Sequence, residues 1–417
     1  MNFQGKRSGY ILRSLAYRLS YAGMVLLIVM SASSGCAPQR QPPDTPTVIS
    51  TSTIVTTSIQ TATQTETRTA PQLATATPHQ VLPVFAGTEA PWSDQRISVS
   101  RMDDIEEIAR WSANSVNCLS FSPDTALLAM GSGDYWLEKP DDVVRLHRVS
   151  DGVILHTLEG HLGAITGVSF SSDGAILASG SFDSTVRLWE TDTGITQSVY
   201  EVKDVFVTSV DISPNGTTLA AGYNIPQQYG GVILWNISSG QMLNRFDEPY
   251  GRVNHIEFSP DGNYIAGSSK GIVRIWRLSD GKNVRSLEKD SLMVNQAIFS
   301  NDSSYIFSAA EGGYLRKWGV SRAEQLLIFG NPGVDNSPDI LSLALFPDDA
   351  LLISGTGEGV LHLWDTAVGS ALKTIEGQTG RITDIACASD GTMFAWGTQS
   401  GGSGDGEIHI WGIPKEE

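Results

Sequence analysis

One short signature, repeated seven times, limits what this chain can fold into more than any other feature. An apolar run leads into a Ser-Pro-Asp-Gly-like turn at Ser122-Pro-Asp-Thr, Ser171-Ser-Asp-Gly, Ser213-Pro-Asn-Gly, Ser259-Pro-Asp-Gly, Ser300-Asn-Asp-Ser, Phe346-Pro-Asp-Asp and Ala388-Ser-Asp-Gly. Successive starts lie 49, 42, 46, 41, 46 and 42 residues apart. A near-constant period in this range marks a supersecondary unit that buries its apolar face only against copies of itself.

Each unit reads as four short strands. The strand before the turn is followed by a second apolar one, such as Ala175-Ile-Leu-Ala-Ser179. A third, alternating strand ends in Trp or its stand-in: Val144-Arg-Leu-His147, Val186-Arg-Leu-Trp189, Val232-Ile-Leu-Trp235, Val273-Arg-Ile-Trp276, Leu315-Arg-Lys-Trp318, Leu361-His-Leu-Trp364 and Ile408-His-Ile-Trp411. A polar turn such as Asp192-Thr-Gly194 then leads to a fourth strand. Four antiparallel strands in about 42 residues make one propeller blade. The expectation is an all-β, seven-bladed β-propeller. The last unit stops at Trp411-Gly-Ile413 without a fourth strand, and Asp104 to Trp111 precedes the first unit without strands of its own. The N-terminal segment is therefore expected to complete the last blade, which removes an exposed sheet edge.

At this point the last three quarters of the chain resembles the WD-repeat family. Trp364-Asp365 is the single literal Trp-Asp pair and Gly160-His161 the single literal Gly-His. The resemblance implies a structural hydrogen-bond set in the second repeat, made of His161, Ser179, Asp183 and Trp189. By position, Gln378 replaces that His in the last repeat, and Asp141, Glu358 and Asp405 hold the place of the acid in repeats one, six and seven. The remaining repeats are expected to rely on packing.

The front of the chain has a different character. Residues 6–18 carry four positive charges, and Ala22 to Met30 are apolar. Small residues Ser31 to Gly35 then precede Cys36. Charged, apolar and small-residue zones in this order form an export signal, and the apolar run is short for a bilayer span. Ser34-Gly35-Cys36 resembles a bacterial lipobox, with Ser33 in place of the usual Leu, which implies lipidation of Cys36. Residues 37–92 are rich in Thr, Ser and Pro and nearly uncharged, a composition that cannot bury enough apolar surface to fold. The organisation read from sequence is a signal over 1–36, a linker over 37–92 and a propeller over 93–417.

From residue 93 on, 22 basic residues face 42 acidic ones. That balance repels phosphates, so nucleic acid and anionic lipid are excluded as partners. Membrane association is expected through the lipid anchor alone. Cys118 and Cys387 lie in apolar strands and read as buried free thiols. His362 and His409 occupy equivalent places in neighbouring repeats, but two imidazoles make a weak metal site. Gly401 to Gly406 is a single glycine-aspartate copy and reads as a hairpin loop, since calcium loops of that kind need stacked repeats. No convergent His or carboxylate cluster, nucleophile with base, metal or cofactor site is legible.

The loops that join second to third strands, and one blade to the next, share one face. They are irregular where the turns on the other face are short. Repeat one inserts Asp134 to Asp142 and repeat three Tyr223 to Gly230. Aromatic residues in loops on a rigid scaffold are the usual contact anchors, which makes Tyr135, Trp136, Tyr223 and Tyr229 the candidate partner-binding residues. The functional expectation is a non-catalytic, membrane-tethered, extracytoplasmic module that binds a protein, peptide or glycan. The alternative is an extracytoplasmic enzyme or envelope-assembly accessory that uses a bound metal or partner-supplied groups.

Overall fold

The turns explain why the strands form where they do. In repeat two the Ser171 hydroxyl donates to Asp173 Oδ1 (2.6 Å) and accepts the Ile176 amide (2.9 Å), while Gly174 supplies a left-handed φ of 71°. The turn satisfies its own polar groups and sets Ile165–Phe170 against Ile176–Ser181. Ser122, Ser213, Ser259 and Ser300 do the same in their repeats. Where glycine is lacking, Thr125, Ser303 and Asp349 still adopt φ of 61°, 60° and 58°. The geometry of the turn overrides the preference of its residue.

The computed structural model describes residues 86–133, 141–226, 228–248, 251–330, 337–376, 380–399 and 405–415, all within one unit, Gln80–Glu417. Cys36, Tyr135, Trp136, Gln378 and residues 401–404 lie outside the described residues.

Each hairpin grows into a four-stranded antiparallel sheet in chain order. In repeat two the order is Ile165–Phe170, Ile176–Ser181, Thr185–Glu190 and Thr196–Glu201. Among the described residues, five sheets have four strands and one has six. The six-stranded sheet covers repeats four and five. Its strand Tyr264–Arg277 doubles back at Gly271, which has φ of 73°, so that the Leu278 amide meets the Asn263 carbonyl. Its strand Asn283–Phe299 pairs with two different neighbours through its two halves. The protein is all-β, with antiparallel sheets in the WD-propeller pattern.

The two ends of the chain share one sheet. Glu106–Asn114 pairs along Asp405–Gly412, outside Met393–Gln399 and Arg381–Cys387. A strap of chain leads into that strand. The Gly87 amide donates to Asp151 O, Trp92 bridges Pro414, the Ser93 amide and hydroxyl both donate to Ile413 O, and the Ile97 amide donates to Gly391 O. Lys373 Nζ then holds the carbonyls of Met102 and Ile105 at 2.9 and 3.1 Å. The packed body thus begins upstream of the boundary at residue 93 read from sequence. Gly87, Ala90, Pro91 and Trp92 gain partners that a Pro- and Gly-containing segment does not advertise.

The core lies between consecutive sheets. Leu146 and Leu158 of repeat one pack with Val168, Leu177 and Trp189 of repeat two. Ile108 and Trp111 of the N-terminal strand join Met393 and Ile410 of repeat seven to Leu128 and Met130 of repeat one in a single cluster. The sheets approach so closely that second strands need glycine. A Cβ at Gly180 would stand 2.6 Å from Val210, and one at Gly397 would overlap Val116.

Candidate functional site

The hydrogen-bond set of repeat two is assembled from four elements. Trp189 Nε1 donates to Ser179 Oγ at 2.8 Å, Ser179 Oγ lies 2.8 Å from His161 Nε2, and His161 Nδ1 lies 2.9 Å from Asp183 Oδ2. With the indole proton on Ser179, the hydroxyl proton is left for Nε2, and Nδ1–H faces the carboxylate. Burial works against ionisation of Asp183, but bonds from His161, Thr185 and Leu162 outweigh it and hold the carboxyl below its usual range. A Ser-His-Asp chain is the arrangement that activates a nucleophile. Here it cannot act as one, because Ser179 is 0% exposed and its oxygen already accepts the Trp189 proton. The chain of bonds pins the loop at His161 and the turn at Asp183 to the sheet.

Other repeats keep fragments of this set. Trp318 donates to Ser308 and Trp364 to Ser354, at 2.8 and 2.9 Å. Asp141 pairs instead with Arg145 and accepts from Asn114, and Glu358 is exposed. The third-strand histidines go to separate partners. His147 stacks on Trp111, His362 meets Thr374 Oγ1, and His409 stacks on Trp396 with Nδ1 2.8 Å from Glu107 Oε1. Cys118 and Cys387 are free thiols, and burial pushes both well above the usual thiol range.

On the loop face the expectation for Tyr223 is overturned. Tyr223 is 0% exposed and lies inside the strand Thr218–Asn224, opposite Gly231. Its hydroxyl donates to Asp247 at 2.6 Å and the Arg245 guanidinium covers its ring at 4.7 Å. The glycine pair 230–231 leaves room for the ring and lets the strand run further than its polar sequence suggests. Tyr229, by contrast, is 37% exposed. The same face carries apolar groups that the insertions did not point to. Leu162 is 61% exposed, and Phe182 packs edge-on against Phe206 at 5.4 Å, both half-buried. Leu162 and Phe182 sit in short loops and Phe206 opens the strand Phe206–Ile212, around repeats two and three, where loop length gives no signal. Leu162 was findable as an apolar residue directly after Gly160-His161.

A second site lies along the first strands of the sheets. At or just before the start of the first-strand stretch of a repeat, a side chain donates to a carbonyl at the start of the same stretch in the next repeat. Asn117 reaches Ile165 O, Thr166 Val207 O, Thr208 Val253 O, Asn254 Val294 O, Asn295 Ile340 O and Thr383 Val116 O, at 2.7–3.0 Å. The last of these joins repeat seven to repeat one. Leu341 stands at the corresponding place in repeat six and has no polar group to offer.

Acids and amides on the same strands cap free edge amides. Asp211 Oδ2 accepts from Phe258 N, Glu257 Oε2 from Phe299 N, Gln296 Oε1 from Leu343 N and Asp384 Oδ2 from Leu119 N, at 2.6–2.8 Å. Burial pushes the carboxyls of Asp211 and Asp384 up to about 6. Burial, with Asp211 close by, pushes Glu257 well above its ordinary value, and burial lowers His255 to about 4. Asp211 thus lies close enough to raise Glu257, and His255 and Glu257 line one cavity, while among the described residues no three His, Cys, Asp or Glu come together as a metal-holding group. Each acid stands alone within its own strand, and only the register between repeats brings them onto facing edges.

Two family models match the chain. The first is described as the IFT122 first beta-propeller, over residues 132–412, and the second as the WD domain, G-beta repeat, over residues 106–137. Among curated relatives, Periodic tryptophan protein 2 of Arabidopsis thaliana is 26% identical over 293 residues, 67% of this chain and 26% of that protein. Apoptotic protease-activating factor 1 of Danio rerio is 26% identical over 66% of this chain and 20% of its own length. WD repeat-containing protein 89 homolog of Dictyostelium discoideum is 31% identical over 36% of this chain and 38% of its own. The chain thus spans about a quarter or less of the first two proteins. With the model match covering well over half of its length and the four-stranded sheets in place, the chain belongs to the IFT122 first beta-propeller family and is a WD-repeat propeller.

Proposed function

We propose that this chain is a closed seven-bladed propeller that works as a non-catalytic binding scaffold for a protein or peptide, tethered outside the cytoplasm by lipid on Cys36. Proteins of this family are typically non-catalytic interaction scaffolds. The observation that carries the binding reading is the loop face. Leu162, Phe182 and Tyr229 in its loops, with Phe206 at the start of a strand, give it apolar surface, whereas the Ser-His-Asp chain is sealed beneath the loops. The closed count rests on the Thr383–Val116 bond, which repeats between the last and first repeats the link made between inner neighbours. The tether rests on the residues around Cys36 alone.

Two measurements test this reading. A crosslinker placed at the exposed Lys203, in the loop between repeats two and three, should trap a defined partner from the native envelope. Leu162→Ala with Phe182→Ala should reduce capture at least tenfold, the loss of one aromatic hot spot or more, while Asp261→Asn on the turn face leaves it intact. Equal capture by the wild type and both variants overturns the face assignment. Acyl labelling that persists in Cys36→Ser overturns the anchor.

A further inference from the structure

The first strands enclose a cavity of about 290 Å³ that the scaffold reading leaves unused. Pro260 and Asn301 line its mouth and are exposed in turns that follow first strands, so the cavity opens on the turn face, away from Leu162 and Tyr229. Its polar wall is made by His255, Gln296 and Glu257. The first two are fully engaged with each other. Leu343 N donates to Gln296 Oε1, Gln296 Nε2 faces His255 Nε2 at 3.4 Å, and His255 Nδ1 donates to Ala297 O at 3.1 Å. That relay fixes a neutral imidazole. Glu257 is different. Oε2 accepts the Phe299 amide, and among the described residues none donates to Oε1.

Along the first-strand stretches the charge has one sign. The stretches 116–121, 165–170, 207–212, 253–258, 294–299, 340–345 and 382–387 hold three carboxylates and no Lys or Arg. Asp261 and Asp302 flank the mouth, and both carboxyls are held below their usual range, against burial at Asp261, by bonds from Ser259 and Ser300. An ionised collar over a low-dielectric cleft concentrates cations at the entrance.

We infer that this cavity binds the primary ammonium group of an alkylamine, with Glu257 Oε1 as its counter-ion. Three features select that chemistry. A guanidinium pairs with both oxygens of a carboxylate, and one of them is already taken here by the Phe299 amide. An ammonium is a point charge that needs one. Ile298, Leu343 and Ile385 add apolar wall that suits a methylene stem. Because burial and the nearby Asp211 hold Glu257 above its ordinary pKa, an arriving ammonium drives its proton off. Binding is coupled to proton release and weakens as pH falls.

Free diamines and lysine side chains share this group, and a calorimetric titration separates them. The full chain in detergent is titrated at pH 7, in two buffers of different ionisation heat, with 1,5-diaminopentane, with a short peptide carrying one lysine, and with the same peptide acetylated on Nε. Binding of the diamine or of the unmodified peptide, with proton release and at least tenfold weaker binding of the acetylated peptide, is expected. Glu257→Gln keeps an acceptor for the Phe299 amide, so it should melt near wild type and lose at least tenfold in affinity. The diamine alone binding assigns a free amine, and the peptide binding assigns a protein side chain. No binding of either up to millimolar concentration, equal binding of the acetylated peptide, or unchanged affinity in Glu257→Gln overturns the inference.

Discussion

The second repeat and the sheet that joins the two ends of the chain reach the same four-stranded form by different means. In repeat two a line of polar bonds from Trp189 to Asp183 ties loop, sheet and turn together within 29 residues. In the joining sheet the indole nitrogens of Trp111, Trp396 and Trp411 are buried with no hydrogen-bond partner among the described residues. Stacking of His409 on Trp396 at 4.9 Å, the Glu107–His409 contact and the Glu107–Arg110 pair take the place of the polar line. The lesson is that a divergent repeat family does not need its polar signature in every sheet. Where that signature is lost, connectivity compensates, with the strap and the borrowed strand doing locally what hydrogen bonds do elsewhere.

The largest expected effect comes from cutting the joining sheet. A chain starting at Ser112 loses Ile108, Ala109 and Trp111 from a shared core and exposes the edge of Asp405–Gly412. Truncating one buried Trp alone costs about 3–5 kcal/mol, so this chain should lose cooperative melting or aggregate. A start at Ala86 should melt like the full chain, and a start at Ser93 should fall between them, because it drops the anchors at Gly87 and Trp92. Equal melting of all three would break the comparison.

Next in size is the polar line of repeat two. His161→Ala leaves Ser179 and the buried carboxylate of Asp183 without their shared partner and should cost about 2–4 kcal/mol. A loss under about 0.5 kcal/mol, by denaturant melting, would mean that packing already suffices there too.

Acid acts with opposite sign on the outer strand of the joining sheet and on the first strands of the repeats. Burial opposes ionisation of Glu107, but bonds from His409 and Arg110 outweigh it and hold the carboxyl near 2, against 4.5 when free. A depressed folded pKa adds stability that is complete above 4.5 and is lost as pH falls toward 2. Asp211 and Asp384, raised to about 6, oppose folding above pH 6 and give that cost back between pH 6 and 4. Melting temperature should therefore rise from pH 7 to 5 and drop below pH 4. Glu107→Gln should flatten the acid-side drop and leave the rise. A steady fall from pH 7 downward would contradict the account of the inner acids. The smallest effect is at Thr125, a β-branched residue at φ of 61°. Thr125→Gly should stabilise by about 0.5–1 kcal/mol, net of the extra freedom of the unfolded chain.

Sequence carried the fold further than the site. Turn chemistry such as Ser259-Pro-Asp-Gly punctuates the chain so regularly that strands and their order follow, and Asp104 to Trp111 announces itself as a strand lacking companions. The strap from Gly87 to Ile105 has no apolar period, so its anchors Ile97 and Met102 were invisible. Asp211, Glu257 and Asp384 read as ordinary outward residues of alternating strands, because nothing local tells which polar position meets a neighbouring repeat. Tyr223 was placed in a loop because the strand pairing that buries it depends on two glycines further along.

The joining sheet also sets a timetable for synthesis. Glu107 leaves the ribosome 302 residues before His409. At about 5–20 residues per second this is a wait of roughly 15–60 s. Throughout that interval the strand Glu106–Asn114 lacks the neighbour it hydrogen-bonds to, and only repeat one is there for Ile108 and Trp111 to pack on, while repeat two can complete its own bonds within seconds of emerging. The newborn chain therefore carries an unpaired apolar strand at its leading end until translation is nearly over. Factors that shield such strands would act on that end, and slowing translation would lengthen the exposure in direct proportion.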